Sequence, residues 1–506
     1  MAFLITILHN ILSVVVALLA VVFVWFKWRY QYWKRKNVPY IEPTIPFGNL
    51  GNRLTDATSD KLVEIYKTAK DRGWKYCGLY IFLTPILLIV DLDLMKNVLT
   101  KDFQYFTDRG IYTNEEVDTV GCNLFALNGS KWRKLRTKLS PAFTPGKLKI
   151  MTQTIVDCGL VLEKYLEENV NPVEPVDIKE VFSNFTIDMI GSCGLGLDCN
   201  SFEEPDSLFK RVGKDVCHVS TLRLILMSFA QDYPRLARTL RIPQIPKETR
   251  DYFTRIVQDT VSYREKNNVV RNDFLQLLMD MRNSKAEKDK SVSGSDNSVT
   301  MEEIVSQCFI FFVAGFETTS GALTFALFEL SRHPEIQDRL REEIVTVLGR
   351  HDDKLTYDSL SEMKYLEQVI DETMRTSPSV RILQRLCTRD YKVPGEDLVI
   401  GKGTRLFFSI PAVHWHEEYW ENPNVFDPDR FEEDKRNMKQ FQPFGQGPRM
   451  CIAERLGMMG IKVGLVCILR NFRVKLNNKT ILPLKMSVKN LFPSAEGGIW
   501  LNLEKI

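Results

Sequence analysis

Several features are missing from this sequence of 506 residues, and each absence removes a class of function. Ten cysteines occur, yet no two form a C-x-x-C pair and no regular spacing recurs, so neither a disulfide framework nor a zinc site is expected. Most of them read as reduced, buried apolar fillers. No G-x-G-x-x-G fingerprint occurs, so the chain carries no dinucleotide fold of its own. The net charge is only +3 and no long Lys/Arg run recurs after the first forty residues, which argues against a nucleic-acid partner. There is no internal repeat. With 44% hydrophobic and 26% charged residues the composition is that of ordinary globular protein.

What is present begins with the N-terminus. Ala2 to Leu8 and Ile11 to Phe26 are apolar stretches broken only by His9 and Asn10, and together they approach the roughly 20 residues that a spanning helix needs. Residues 1–26 are therefore expected to be a transmembrane anchor. Lys27, Arg29, Lys34, Arg35 and Lys36 follow with no acid before Glu42, which by the positive-inside rule puts the body on the cytosolic side. A cleaved secretory signal would carry a basic region before its core and small residues after it. Trp25, Phe26 and Trp28 stand there instead and suit an interfacial aromatic belt. Asn128 and Asn184, which open N-x-S/T triplets, are then no glycosylation sites.

Pro39, Pro43 and Pro46 favour extended backbone, so residues 27–50 read as a basic stop-transfer stretch and a semi-rigid Pro-rich hinge. Residues 76 to 90 read as a strand pair around a Thr84-Pro85 turn, and most of the following sequence reads as helix. Asn283 to Val299 is polar enough to be a solvated loop. Thr300 and Glu303 make a capping box for a helix reaching about Arg332, with Pro334 opening the next helix.

Chemistry concentrates at Phe444 to Gly457, FGQGPRMCIAERLG. A thiolate needs its charge offset, and a loop running from Gly445 and Gly447 into a helix start at Cys451 would aim backbone N–H groups at the sulfur. Taken alone, Cys451 reads better as a small buried hydrophobe, like the other nine cysteines. Phe444, Gly447, Arg449 and Cys451 together resemble the cysteine-ligand loop of the cytochrome P-450 superfamily, with Ala453 standing where that pattern has glycine. The resemblance implies that Cys451 is the axial ligand of heme iron, with Phe444 and Arg449 also at the cofactor. A thiolate pushes electron density onto the iron and favours O–O cleavage, the use for which this enzyme class serves as the standard illustration.

Ala314-Gly315-Phe316-Glu317-Thr318-Thr319 is similar to the family's oxygen-activating stretch. Gly315 weakens the helix and Thr318 can bond the Ala314 carbonyl, so a local bulge is expected there. Cleaving dioxygen takes two protons in a site closed to bulk water, and the resemblance gives Glu317 and Thr318 that delivery. Alone, the motif is a threonine pair beside a surface glutamate.

Glu372 and Arg375, three apart on one helix face, are by themselves an ordinary ion pair. With Arg430 in Pro428-Asp429-Arg430-Phe431 they resemble the family's buried structural triad. The resemblance also places Trp132, Arg136, Arg385 and Arg449 at the heme propionates, where guanidinium suits bidentate pairing. Lys131, Arg133, Lys134 and Lys138, with Arg436 and Lys439, would make a basic face for an acidic redox partner. Ser377 to Arg381 departs from the family's Pro-Pro stretch, and Arg381 is expected to alter the pocket wall.

The resemblance covers nearly the whole chain. It implies a mainly α fold with a smaller β part, residues 51–506 forming the catalytic domain and holding heme b. The activity implied is a monooxygenase that inserts one oxygen atom from dioxygen into an apolar substrate. Electrons would come from NADPH through NADPH-cytochrome P-450 reductase, with cytochrome b5 as a candidate second donor, at the endoplasmic reticulum membrane. RNDFLQLL at 271 to 278 and FETTSGALTFALFELSRHPEIQ from Phe316 are similar to the insect microsomal branch associated with xenobiotic metabolism, while an endogenous hormone or lipid stays open as substrate. A heme-thiolate binding or sensing protein without turnover is the alternative from another class.

Overall fold

The computed structural model describes residues 1–51, 57–171, 173–204, 207–288, 299–432 and 438–506. The chain separates into two compact units, residues 1–107 with 382–412, and residues 108–381 with 413–506.

In the first unit, the helix Ala2–Arg29 passes unbroken through His9 and Asn10. Its apolar stretch is long enough to cross a membrane and is not buried against protein. Burial starts abruptly at Phe26, Tyr30 and Trp33. The stretch expected to be a hinge is fastened. Gly78 donates a backbone hydrogen bond to Pro39 and Asn49 donates one to Tyr80, which tie the proline-rich segment to the sheet.

That sheet has four strands in the spatial order Tyr76–Ile81, Thr84–Ile89, Arg405–Ser409 and Ile382–Leu386. The first pair is an antiparallel hairpin and the second is parallel. The hairpin turn falls at Phe82 and Leu83 and not at Thr84-Pro85, because Thr84 already pairs with Ile81 and Pro85 with Tyr80. Pro85 is tolerated because the parallel pairing begins only at Ile86, so no ladder bond to that strand needs its missing N–H.

The second unit is mainly helical. Its axis is the long helix Met301–Arg332, opened by the expected Thr300–Glu303 capping box and followed by a helix that starts at Pro334. Phe312, Leu323, Leu327 and Leu330 on it are fully buried, and each such side chain contributes about 1.5–3 kcal/mol over exposure. The helices Ile178–Ile190 and Glu454–Leu469 pack against it. Gly460 and Gly464 let them come close: a Cβ on Gly460 would meet Met189 Sδ at 2.7 Å, and one on Gly464 would meet Leu323 Cδ2 at 2.8 Å. A small three-stranded sheet, Val176–Asp177 with Trp500–Lys505 and Phe472–Leu476, completes the unit.

The polar stretch after Asn283 is not loop throughout. The helix Phe274–Lys288 continues to its end, because Ala286, Glu287 and Lys288 are good helix formers. The rest of that stretch, from 289 to 298, lies outside the described residues, and Val299 is buried. Asn184 is buried within its helix, which keeps its triplet from any glycosylating enzyme.

Candidate active site

The loop before the helix Glu454–Leu469 turns twice through glycine. Gly445 and Gly447 have φ of 75° and 73°, a region open to glycine at no steric cost. Cys451 N–H donates to the Phe444 carbonyl at 3.0 Å, which closes the loop. The helix begins at Glu454, three residues later than expected, with Ala453 as its N-cap. The thiol is therefore held by the turn before the helix. Ala453 has φ of −102°, so its methyl adds no backbone strain where glycine was expected.

Cys451 alone among the ten cysteines is exposed as a residue, while the protein mass around its sulfur still pushes the thiol pKa up by desolvation. Opposing that, the Ala453 amide, Arg136 and Arg109 favour the thiolate. Several of the other thiols are pushed to about 12 by burial, as at Cys158 and Cys467, and are inert fillers.

Guanidinium groups surround this loop. Arg136 Nη1 donates to the Met450 carbonyl at 3.1 Å, and desolvation lowers its pKa. Arg449 is buried, lies 4.0 Å from the Trp132 ring centroid, and donates through Nη2 to the Leu127 carbonyl at 2.7 Å. Arg109, absent from the motif reading, donates to the carbonyls of Arg449 and Phe125 at 3.0 Å each. It lies 342 positions before Cys451, and no local pattern marks it.

On the long helix, Thr318 Oγ1 donates to the Ala314 carbonyl at 2.6 Å. The helix stays regular α throughout, so the expected bulge is not present. Ala314 is exposed although the helix around it is mostly buried, which leaves a small-residue face open. Glu317 is not a surface glutamate. It is buried, with Lys179 Nζ 2.9 Å from its Oε1, and Lys179 also donates to Ser320 Oγ at 2.8 Å. From the stretch that departs from the family pattern, Ser379 Oγ donates to the Thr318 carbonyl at 3.2 Å. Arg381 instead lies over the Trp415 ring, 5.4 Å from its centroid.

Glu372, Arg375 and Arg430 meet. Arg375 donates through Nε and Nη2 to the two Glu372 oxygens at 2.7 Å each, with both side chains wholly buried. Arg430 Nε lies 3.5 Å from Glu372 Oε1. Arg375 also donates to the His414 and Val425 carbonyls, so one guanidinium ties three segments together. Desolvation raises the Glu372 pKa against the pull of Arg375.

Arg385 lies in the first unit, on the strand Ile382–Leu386. It is buried, its Nε has no hydrogen-bond partner, and desolvation lowers its pKa to about 10. A buried guanidinium in that condition calls for an anion. Of the proposed basic face, Arg133 and Lys134 are exposed, Lys131 pairs with Glu115 at 2.6 Å, and Arg436 lies outside the described residues.

These residues fit an iron porphyrin. The thiol supplies a soft anionic donor, Arg136 suits a carboxylate group, and Ala314 leaves room for a flat ring. A cysteine so placed, with a glycine-turned loop on one side and cationic groups beside it, is suited to be a thiolate donor to iron. The family profile described as Cytochrome P450 matches residues 40–498. Among curated relatives from Drosophila melanogaster, probable cytochrome P450 6a14 is 40% identical over 94% of this chain and 96% of its own length. Cytochrome P450 6a9 is 37% identical over 98% and 99%, and cytochrome P450 6a2 is 38% identical over 94% and 96%. The chain belongs to the cytochrome P450 family, in its insect branch. It is a heme-thiolate monooxygenase with heme b as cofactor, dioxygen and an apolar compound as substrates, and NADPH electrons supplied through a reductase.

Proposed function

We propose that the enzyme works on the cytosolic side of the endoplasmic reticulum membrane, oxygenating apolar xenobiotics such as plant toxins or insecticides. NADPH-cytochrome P450 reductase would be the electron donor and cytochrome b5 a second one. The single observation that carries the catalytic assignment is the buried Glu317, held by Lys179 one residue before Thr318 on the open face of the long helix. A heme protein that only binds or senses has no need of such a pair.

When bound, the heme supplies activation of dioxygen under the electron push of the thiolate. The chain does the rest. Cys451 would hold the heme iron through its sulfur, and the Ala453 amide with Arg109 and Arg136 favours its thiolate form. Trp132, Arg136, Arg449 and Phe444 would hold and orient the porphyrin, and Arg385 would supply a further partner for a propionate. Lys179 keeps Glu317 in place, and Glu317 carries protons inward from its solvent-side partner. Thr318 Oγ1, anchored by its bond to Ala314, passes a proton on by rotating its hydroxyl. Glu372, Arg375 and Arg430 keep the surrounding segments in register.

The experiment is turnover of the full-length chain with reductase and NADPH against a panel of plant toxins, insecticides, steroids and fatty acids. Oxygenated products from the first two classes support the reading. A single efficient steroid or lipid substrate would assign the enzyme to endogenous metabolism, and no product from any class would favour the sensor.

A further inference from the structure

Two carbonyls of the long helix, about one turn apart, each accept a hydroxyl. Thr318 Oγ1 donates to the Ala314 carbonyl at 2.6 Å from within the helix. Ser379 Oγ donates to the Thr318 carbonyl at 3.2 Å from outside it. A carbonyl has two lone pairs, so it can take a side-chain donor besides its place in the helical ladder. The helix is regular α from Met301 to Arg332, so both hydroxyls are added without opening a turn.

Ser379 can hold that carbonyl because its own loop is fixed. The loop leaves the helix Lys364–Thr376, with Ser377 N–H on the Thr373 carbonyl at 2.7 Å. Trp415 Nε1 donates to the Thr376 carbonyl at 3.1 Å, and Arg381 lies over the same indole, 5.4 Å from its centroid. Trp415 thus fastens the loop on both sides of Ser379. Thr376 Oγ1 donates to the Glu372 carbonyl at 3.1 Å, and Glu372 with Arg375 forms the wholly buried pair. A continuous set of bonds therefore runs from that pair through the loop to the turn that carries Thr318, and its last link is the Ser379 hydroxyl. The family's Pro-Pro stretch would put a second proline after Pro378, and proline has no side-chain donor. The departure of this chain from that stretch is what supplies the bond.

We propose that Ser379 is a positioning residue for oxygen activation: its hydroxyl holds the helix at the Thr318 carbonyl and so fixes where the Thr318 hydroxyl stands. This rests on the reading of Thr318 as the group that passes protons. A hydroxyl that hands on a proton has to return to the same place in every cycle, and a shift of about 1 Å in a reacting group is costly. Without the Ser379 bond the turn can shift, and reduced dioxygen leaves as hydrogen peroxide instead of entering product.

The test compares the full-length, heme-loaded protein with Ser379→Ala, Ser379→Thr, Thr318→Ala and the Ser379→Ala/Thr318→Ala double variant, all at equal heme content. Two readouts are taken. One is product and peroxide per NADPH with reductase and 7-ethoxycoumarin, an apolar aryl ether. The other is hydrogen exchange by mass spectrometry over residues 312–322 in the absence of substrate, which needs no turnover. In Ser379→Ala, product per NADPH is expected to fall about threefold, the scale of one hydrogen bond, with peroxide rising, and exchange over 312–322 to quicken. Ser379→Thr keeps a hydroxyl and is expected to restore both. In the Thr318→Ala background Ser379→Ala is expected to change coupling no further, whereas a merely structural residue would add its own loss. Exchange in Ser379→Ala equal to that of the natural protein overturns the proposal, as does a fully additive loss in the double variant. Lowered coupling in Thr318→Ala with none in Ser379→Ala overturns the role of Ser379 alone. Unchanged coupling in Thr318→Ala overturns the proton reading of Thr318 and the role of Ser379 with it.

Discussion

Lys179 Nζ lies 2.9 Å from Glu317 Oε1, bridging two helices whose sequence positions are 138 residues apart. Removing either partner exposes the role of the pair. Glu317→Gln keeps shape and loses the titrating proton, and product formation is expected to fall on the order of a hundredfold, the lower range for a positioned acid–base group. Lys179→Met leaves the buried carboxylate without its cation, and product formed per NADPH consumed is expected to fall several-fold at unchanged heme content. Unchanged coupling in Lys179→Met would show that the lysine is merely structural.

Thr318 Oγ1 donates to the Ala314 carbonyl. Thr318→Ala is expected to keep heme content while product formed per NADPH consumed drops several-fold. Thr318→Ser restores the hydroxyl and is expected to recover most of it. Simultaneous assay of NADPH and product checks both, and equal coupling in all three proteins would remove Thr318 from the proton route.

The Glu372–Arg375 pair has both side chains wholly buried. Arg375→Ala strands the carboxylate and is expected to cost about 3–5 kcal/mol, enough to abolish folded protein in expression tests. Arg430 approaches Glu372 less closely, at 3.5 Å, and donates to the Glu421 and Asn422 carbonyls, so Arg430→Ala is expected to cost about 1–2 kcal/mol, read as a lower denaturation midpoint. The reverse order would mean that Arg430 and not Arg375 is the keystone.

His414 is buried against Phe441, with Nε2 accepting the Gln442 N–H at 3.1 Å. Desolvation first, then the Arg375 charge, lowers its pKa from 6.5 to about 3. The folded state therefore refuses a proton that the unfolded chain takes up. Stability from this group is full above pH 6.5 and falls as pH drops towards 3, by up to about 1.4 kcal/mol per pH unit. His414→Gln lacks that slope, and denaturant titrations of both proteins between pH 7.5 and 4.5 measure the difference.

Much of this was readable where a pattern is local. The capping box at Thr300 and Glu303 needs only four residues, and both glycine turns before Cys451 stand in the loop itself. Errors arose where local chemistry competes. Thr84-Pro85 looks like a turn, but the hairpin turns at Phe82 in a positive-φ conformation that no glycine or asparagine announces. Ser284 to Lys288 looks like loop by polarity and is helix by propensity. Arg109 and Lys179 were out of reach, because each gains its meaning from residues more than a hundred positions away. The helix start at Glu454 was misplaced because the turn that holds Cys451 has the same glycine-rich character as a helix entry.

The most direct test is the reduced carbon monoxide difference spectrum of the full-length protein beside Cys451→Ser and Cys451→His. The account predicts a thiolate-type Soret band in the natural protein and its loss in both variants, with a histidine-type band in the second. A histidine-type band in the natural protein, or a thiolate band that survives in Cys451→Ser, would contradict it.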